Sequence, residues 1–192
     1  MLSSLYKSTL MTFVLLLILC GLYPLSVTLL AKVLFKEKAE GSLILKNNQV
    51  VGSELLGQNF SDPKYFQGRP SAAGDKGYDA ANSSGTNLGP TSQKLADNLN
   101  ANIKKVLEEN PGVQPRQIPV DLVTTSASGL DPHISPEAAY LQATRISAQR
   151  QIPLAQVNQL IGQETQGPQW GLFGEARVNV LRLNLALDLI QH

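Results

Sequence analysis

The chain begins with an apolar stretch that must either lie in a membrane or be removed before the rest can fold in water. Residues Ser8 to Ala31 contain no charged side chain, and Lys7 and Lys32 bound the stretch. As a helix rising about 1.5 Å per residue it would be about 36 Å long, enough to cross a hydrocarbon core of about 30 Å. We therefore predict a short N-terminus over residues 1–9, a transmembrane helix over 10–31 and a soluble domain over 32–192.

The stretch differs from a removable leader. A leader normally has a shorter apolar core that ends at small residues in an A-x-A-like site. Here the apolar sequence continues through Leu25, Leu29 and Leu30, so we expect the span to be retained. Pro24 lies inside it and predicts a kink, because proline removes one helical hydrogen bond.

Charge alone leaves the orientation of the span open. Lys7 flanks one side, whereas Lys32, Lys36 and Lys38 flank the other, so the positive-inside rule places the soluble domain in the cytoplasm. Long domains are translocated largely regardless of local charge, which keeps the opposite orientation possible. Cys20, the only cysteine, lies in the span, so no internal disulfide reports the redox compartment.

The soluble part has the size of one ordinary domain and a balanced charge. The chain has 16 Lys and Arg and 15 Asp and Glu, and Lys7 is the only charged residue before Lys32. The domain is therefore neutral overall and has no basic cluster. This balance argues against nucleic acid as a partner.

Turn and strand signals appear early in the soluble part and again in its middle. Segments Leu43–Lys46 and Gln49–Val51 flank Asn47-Asn48, a pair that tolerates positive φ, so a tight hairpin is expected. A long loop rich in turn formers follows over residues 57–90. Pro119 to Thr125 is apolar and β-branched and predicts a short strand.

Helical signals predominate elsewhere, which gives an α+β fold class for the soluble part. Ser135-Pro136 is a strong helix start, with the serine as the cap, and Asn179 favours a helix over a strand near the C-terminus. Leu154, Val157, Leu160 and Ile161 form the expected buried stripe of the penultimate helix. The predicted helices are Lys32–Glu40 ended by Gly41, Thr91–Asn110, Ser135 to about Arg150, one opened by Pro153, and Val178–Ile190.

One loop resembles a catalytic constellation. Ser126, Ser128, Asp131 and His133 lie within the segment 124–133. A hydrolase triad needs such groups to converge in space, but neither serine has the leading glycine of a G-x-S-x-G elbow. A loop that enters a helix also collects Ser, Asp and Pro for turns and caps, and we favour that structural interpretation.

Other candidate sites are weaker still. The loop Ser83–Ser92 carries glycines ahead of a helix, yet Pro90 stands where a phosphate-binding loop needs lysine. Tyr65-Phe66 is expected to pack a loop onto the core. The only histidines, His133 and His192, belong to no ligand cluster of known spacing, so we predict no catalytic residue, metal site or cofactor.

An ordered set of short motifs nevertheless identifies the chain with a known family. It closely resembles the C subunit of Kdp-type potassium-transporting ATPases over nearly its whole length. The motifs are Tyr23-Pro24, Gly52-Ser53, Leu56-Gly-Gln-Asn-Phe60, Tyr65-Phe66, Arg69-Pro-Ser-Ala72, Asn87-Leu-Gly89, Pro119-Val-Asp-Leu-Val123, Ser126-Ala-Ser-Gly-Leu-Asp-Pro-His-Ile-Ser-Pro136, Val178-Asn-Val-Leu181 and Leu183-Asn-Leu-Ala-Leu-Asp188.

The resemblance implies an accessory subunit of a bacterial inner-membrane complex for high-affinity potassium uptake. Its partners would be a channel-like subunit that conducts the ion, a P-type ATPase subunit and a small single-span subunit, together with membrane lipid. In this family the N-terminus is cytoplasmic and the mixed α/β domain is extracytoplasmic, over the ion entrance. The residues expected to contact partners or to stabilise the motif loops are Arg69, Asn87, Asp121, Ser126, Ser128, Gly129, Asp131, His133, Ser135 and Asn179.

The sequence leaves two alternatives open. The first is a membrane-anchored hydrolase that uses Ser126 or Ser128 with His133. The second is an inward-facing subunit that assists nucleotide binding, a role proposed for the family. The charge of the flanking lysines is compatible with the second alternative, whereas the family orientation opposes it.

Overall fold

The computed structural model describes residues 2–190. These fall into two compact units, which we call the N-terminal unit, Met1–Val51, and the C-terminal unit, Gly52–His192. The helices are α1 Leu2–Leu16, α2 Tyr23–Leu34, α3 Lys36–Ala39, α4 Gln93–Glu109, α5 Pro136–Arg150, α6 Leu154–Glu164 and α7 Val180–Ile190. The strands are β1 Leu43–Lys46, β2 Gln49–Ser53, β3 His133–Ile134, β4 Thr165–Gln166 and β5 Arg177–Asn179.

The N-terminal unit is built on one long apolar helix. α1 and α2 join through a π-helical turn, Leu17–Leu22, to form a helix over Leu2–Leu34 that is long and apolar enough to cross a membrane. The Tyr23 amide donates to the Ile18 carbonyl in this turn. Pro24 has no amide hydrogen for the usual helical bond, so the distortion expected at proline takes the form of a wide turn just before it.

The helix does not continue unbroken to Glu40, so the prediction of a helix over Lys32–Glu40 is wrong in part. α2 ends at Leu34, and Phe35 has the non-helical angles φ −139° and ψ 49°. α3 then makes one separate turn before Gly41, whose φ is +91°. Glycine ends the segment as predicted, because that φ is costly for residues with a Cβ atom.

The predicted hairpin is confirmed. β1 and β2 form a two-stranded sheet, and Asn47 and Asn48 have φ values of +53° and +60°. Two consecutive left-handed residues are typical of a type I′ turn, whose twist matches that of the paired strands. The asparagine pair therefore replaces the more usual glycine at this turn.

A small antiparallel sheet organises the C-terminal unit. Its order is β3-β5-β4, with His133 opposite Asn179 and Thr165 opposite Val178. Val178, on the central strand, is fully buried. The prediction of one helix over Val178–Ile190 is thus wrong in part: its first residues belong to β5, and the helix α7 begins at Val180.

The core lies where α5, α6 and α7 pack with this sheet. Alanines on one face of α5 are buried and allow the helices to approach closely. Val157, Leu160 and Ile161 of α6 are buried as predicted, but Leu154 remains 41% exposed at its first turn. The buried apolar residues of these helices are Ala138, Ala139, Ala143, Ile146, Val157, Leu160, Ile161, Val180, Leu181, Leu183 and Leu187.

The strand predicted over Pro119–Thr125 is wrong. Val120–Leu122 forms a 3-10 turn in which the Leu122 amide donates to the Pro119 carbonyl and the Thr124 amide to the Val120 carbonyl. The Thr124 hydroxyl also donates to the Val120 carbonyl at 2.8 Å. Local bonds thus satisfy this backbone, and β-branched composition does not produce a strand without a partner strand.

Candidate functional site

The motif loop, residues 124–135, is centred on an ion cluster. Asp131 accepts from Arg69 Nη1 through Oδ2 at 3.2 Å and from the His133 backbone amide through Oδ1 at 3.0 Å. His133 Nδ1 lies 3.4 Å from the same Oδ1. Arg69 Nη2 reaches the Thr125 carbonyl at 3.4 Å. The structure therefore brings together Arg69, Asp131 and His133 from the residues singled out in the sequence.

The surroundings of the cluster shift the pKa of two of its acids, Asp131 and Tyr78. Burial favours the neutral form of Asp131, but hydrogen bonds from His133 and the charge of Arg69 outweigh it and lower the pKa of this carboxyl. Burial, together with the charge of Asp131, raises the pKa of Tyr78 to about 12. The Tyr78 hydroxyl donates to the Arg69 carbonyl. A carboxylate paired with the Arg69 guanidinium and a phenol with a raised pKa suit a structural cluster better than a proton-transfer site.

The serines of the motif loop do not complete a triad. Ser128 Oγ accepts from the Leu130 amide at 3.1 Å, and Ser126 is buried. Both serines line a shallow depression with Asp131, whereas His133 lines a separate groove. Within residues 2–190, no hydrogen bond joins either serine hydroxyl to His133. Ser128 thus makes a local side-chain to backbone bond of the kind expected in a turn, and the geometry does not favour the hydrolase.

Gly129 joins the motif loop to the loop that precedes α4. Its φ is +67°, and a Cβ atom there would lie 2.6 Å from the Ser84 carbonyl oxygen and 2.8 Å from the Ala73 amide nitrogen. The Gly129 carbonyl accepts from Ser71 Oγ at 2.6 Å. Only glycine fits both the backbone angle and the close approach, so this residue fixes how the two loops pack.

Asp121 and Ser135 form the start of α5. Ser135 Oγ accepts from the Ala138 amide at 3.1 Å, which confirms the predicted N-cap. Asp121 accepts from the Ser135 amide at 2.6 Å and from its hydroxyl at 3.2 Å. The aspartate thereby ties the 3-10 turn to the helix, and its carboxylate lies near the positive end of the helix dipole.

Asn179 and Asn87 lie outside the ion cluster. Asn179 Oδ1 accepts from the Arg182 amide at 3.1 Å, as expected of a cap on α7, and Nδ2 donates to the Glu54 carbonyl at 2.8 Å. Asn87 is exposed, with φ +51°, and the hydrogen bonds of the described chain do not link it to the other motif residues. Its asparagine is explained by the left-handed backbone.

Sequence reasoning missed a row of buried polar side chains that holds residues 63–67, which we call the clamped segment. Asn184 accepts from the Phe66 amide and donates to the Phe66 carbonyl, each at 2.9 Å. Gln142 does the same for Gln67, at 2.8 and 3.1 Å. Each amide side chain thus pairs with a loop residue as a neighbouring strand would.

Two arginines complete the clamp. Arg145 donates to the Pro63 and Tyr65 carbonyls. Arg150 donates to the Lys64 carbonyl at 2.8 Å, and its guanidinium lies 4.6 Å from the centroid of the Tyr65 ring. The sequence contained one signal for this clamp. Asn184 lies among the leucines of α7, and a buried amide side chain of this kind needs hydrogen-bond partners inside the core. Phe66, fully buried, confirms that Tyr65-Phe66 anchors a loop on the core.

The described residues hold no group of three or more His, Cys, Asp or Glu arranged to bind a metal ion. Asp131 and His133 lie together, but their third neighbour is the cation Arg69. A cation in this position repels a metal ion, so the cluster has the wrong donor set for one. His192 lies outside the described residues.

Comparison with known proteins gives a consistent result. Residues 5–189 match the family model described as KdpC, the c chain of the K+-transporting ATPase. A protein of Dechloromonas aromatica, strain RCB, is 55% identical over 179 residues, which is 93% of each chain. One of Nitratidesulfovibrio vulgaris is 49% identical over 190 residues, covering 99% of this chain and 96% of that protein. A third, of Polynucleobacter asymbioticus, is 52% identical over 186 residues, covering 96% and 98%.

All three relatives carry the name potassium-transporting ATPase KdpC subunit. The apolar helix, the mixed α/β unit and the full-length matches define a membrane-associated subunit of a transport ATPase. More particularly, the chain belongs to the KdpC family of K+-transporting ATPase c chains. The resemblance noted in the sequence is thereby confirmed.

Proposed function

We propose that the chain is a non-catalytic accessory subunit that assembles and stabilises an ATP-driven potassium uptake complex and covers its ion entrance. The observation that carries the proposal is how the motif loop uses its polar groups. Asp121, Asp131 and Ser135 are engaged in bonds within the chain, and Gly129 packs one loop on another. Polar side chains that are bonded within the chain hold the loop surface in a defined shape. Few of them remain available to act on a substrate.

Membership of the family supports a set of partner subunits. We propose a channel-like subunit, a P-type ATPase subunit and a small single-span subunit of the same complex, with lipid around the apolar helix. The neutral charge balance of the soluble part supports protein partners over nucleic acid. The proposed location is the bacterial inner membrane, with residues 1–9 in the cytoplasm and the soluble domain on the outer side.

The inward-facing nucleotide-binding role has less support. The loop ahead of α4 lacks a phosphate-loop lysine, and a Cβ atom on Gly85 would lie 2.8 Å from the Ala127 carbonyl oxygen. This loop is therefore packed against the motif loop and has its own structural reason for a glycine. The side of the membrane on which the domain lies decides between the two roles.

Thiol labelling of intact spheroplasts tests the orientation. With Cys20 replaced by alanine, Ala81→Cys places one thiol at an exposed position of the C-terminal unit. We expect it to react with a membrane-impermeant maleimide before lysis. Ser3→Cys, near the N-terminus, is the matched control and should react only after lysis. The reverse pattern would place the domain inside and refute the proposed cover.

A further inference from the structure

The loop between β4 and β5 exposes three large apolar side chains. Trp170 is 90% exposed, Leu172 81% and Phe173 61%, and we call these three the apolar tip. Single exposed apolar residues are ordinary, but a contiguous group at the end of a hairpin often marks an interaction site. Trp170 is also the only tryptophan of the chain.

The loop that carries the apolar tip is closed by its own hydrogen bonds. The Gln169 amide donates to the Phe173 carbonyl at 2.8 Å, and the Phe173 amide donates to the Gln169 carbonyl at 3.0 Å. The rings of Trp170 and Phe173 meet edge to face, with centroids 6.0 Å apart and an interplanar angle of 77°. The tip is therefore already ordered before a partner binds. Less conformational entropy is lost on binding, which favours affinity.

The backbone at the tip has left-handed angles at two successive residues. Trp170 has φ +54°, in the left-handed region that bulky residues rarely occupy. Gly171 beside it has φ +73°, and glycine would suit both positions. A strained aromatic that contributes nothing to the core of its own chain is typical of a functional surface.

The charge around the tip favours a protein over a lipid surface. The loop itself, residues 167–176, contains no lysine or arginine, and its one charged side chain is Glu175; Arg177 follows at the start of β5. Segments that lie on a lipid surface are normally rich in lysine and arginine beside their apolar residues, and this loop has neither. Aromatic side chains are, by contrast, the commonest energetic anchors of protein interfaces.

We propose that the apolar tip docks in a hydrophobic pocket, with a neutral or basic rim, on a partner subunit of the transport complex. The inference rests on the proposed function, since it assumes that the C-terminal unit covers another subunit. Trp170 fills the centre of the pocket, Phe173 supports the indole edge, and Glu175 lies at the rim. This assigns the contact to one loop.

Photocrosslinking in the intact complex identifies what covers the tip. The full chain with benzoylphenylalanine in place of Trp170 is assembled with its partners in the membrane and irradiated. We expect one predominant crosslink to an apolar segment of a partner subunit. Leu189, 73% exposed on α7, is the matched control position. Crosslinks from position 170 to lipid alone, or none above the position-189 control, would overturn the inference.

Subunit exchange measures the contribution of the tip. Trp170→Ser should speed replacement of the chain by labelled wild-type chain about tenfold or more, because truncated aromatic anchors weaken interfaces at least that much. Trp170→Phe keeps an aromatic ring, so its exchange rate should lie between those of Trp170→Ser and wild type. Leu189→Ser should stay within about twofold of wild type, the usual range for a surface change. An unchanged exchange rate for Trp170→Ser would contradict the docking.

A truncated variant distinguishes a failure of the docking loop from a failure of the proposed accessory function. A chain ending at Val51 lacks the whole C-terminal unit. If it exchanges much faster than wild type while Trp170→Ser does not, the docking loop is wrong and the accessory role survives. If neither change affects exchange, assembly through the soluble unit is wrong as well.

Discussion

Replacing Asn184 with alanine is expected to destabilise the folded chain by about 2–6 kcal/mol. The side chain is 2% exposed and satisfies both the amide and the carbonyl of Phe66, at 2.9 Å each. Each buried backbone group left without a partner costs about 1–3 kcal/mol. Urea unfolding of the full chain in mild detergent, followed by circular dichroism, measures the loss of free energy.

The matched control for this change is Asn100→Ala. Asn100 is an exposed asparagine on α4, and its removal should change the free energy of unfolding by less than about 0.5 kcal/mol. Asn184→Ala removes the bonds between α7 and Phe66 of the clamped segment. This variant should therefore also increase hydrogen exchange at residues 63–67. Similar stabilities for the two variants would show that the clamp is not a stabilising element.

Gly129→Ala is expected to destabilise the chain by about 2–5 kcal/mol. A residue with a Cβ atom in the left-handed region costs about 1–2 kcal/mol. The new methyl group also meets backbone atoms at 2.6 and 2.8 Å, and forced overpacking adds about 1–3 kcal/mol. The same unfolding experiment measures the change, and the motif loop should lose protection from hydrogen exchange.

Gly112→Ala separates the two causes. Gly112 also has a positive φ, +91°, but a Cβ atom there would meet nothing within 4 Å. It should therefore show the backbone cost alone, about 1–2 kcal/mol. Equal losses at Gly112 and Gly129 would mean that the close approach of the two loops contributes nothing.

Local rules predicted the parts of the fold that short-range bonds determine. The pair Asn47-Asn48 correctly predicted the hairpin turn, and Ser135 correctly predicted the cap of α5. The spacing of Val157, Leu160 and Ile161 correctly predicted the buried face of α6. Each of these needs only neighbours a few residues away. Such signals can be read without knowing the rest of the structure.

The errors arise where distant residues decide the outcome. Pro119–Thr125 has strand composition, but no strand lies beside it, and the backbone closes into a 3-10 turn. β5 forms because β3 and β4 pair with it from both sides, and β3 lies far earlier in the sequence, before α5 and α6. Pairing of this kind overrides the local preference of a leucine-rich segment.

The candidate site was predicted in part. Sequence proximity placed Asp131 beside His133, but the third member of the cluster, Arg69, comes from a loop 62 residues earlier. Family motifs pointed to Arg69, whereas periodicity and spacing could not. The clamp on residues 63–67 was missed because its side chains come from α5 and α7, which converge only in the folded chain.

The transport properties of a complex that lacks the C-terminal unit test the central claim most directly. Potassium selectivity requires rings of carbonyl oxygens that replace the hydration shell of the ion, and the chain has no T-V-G-Y-G element. We therefore expect a complex whose accessory chain ends at Val51 to assemble poorly and turn over slowly, with the preference of the remaining activity for potassium over sodium unchanged. A complex that assembles and turns over normally but no longer discriminates between the two ions would contradict the account, because the unit would then be an ion-binding element.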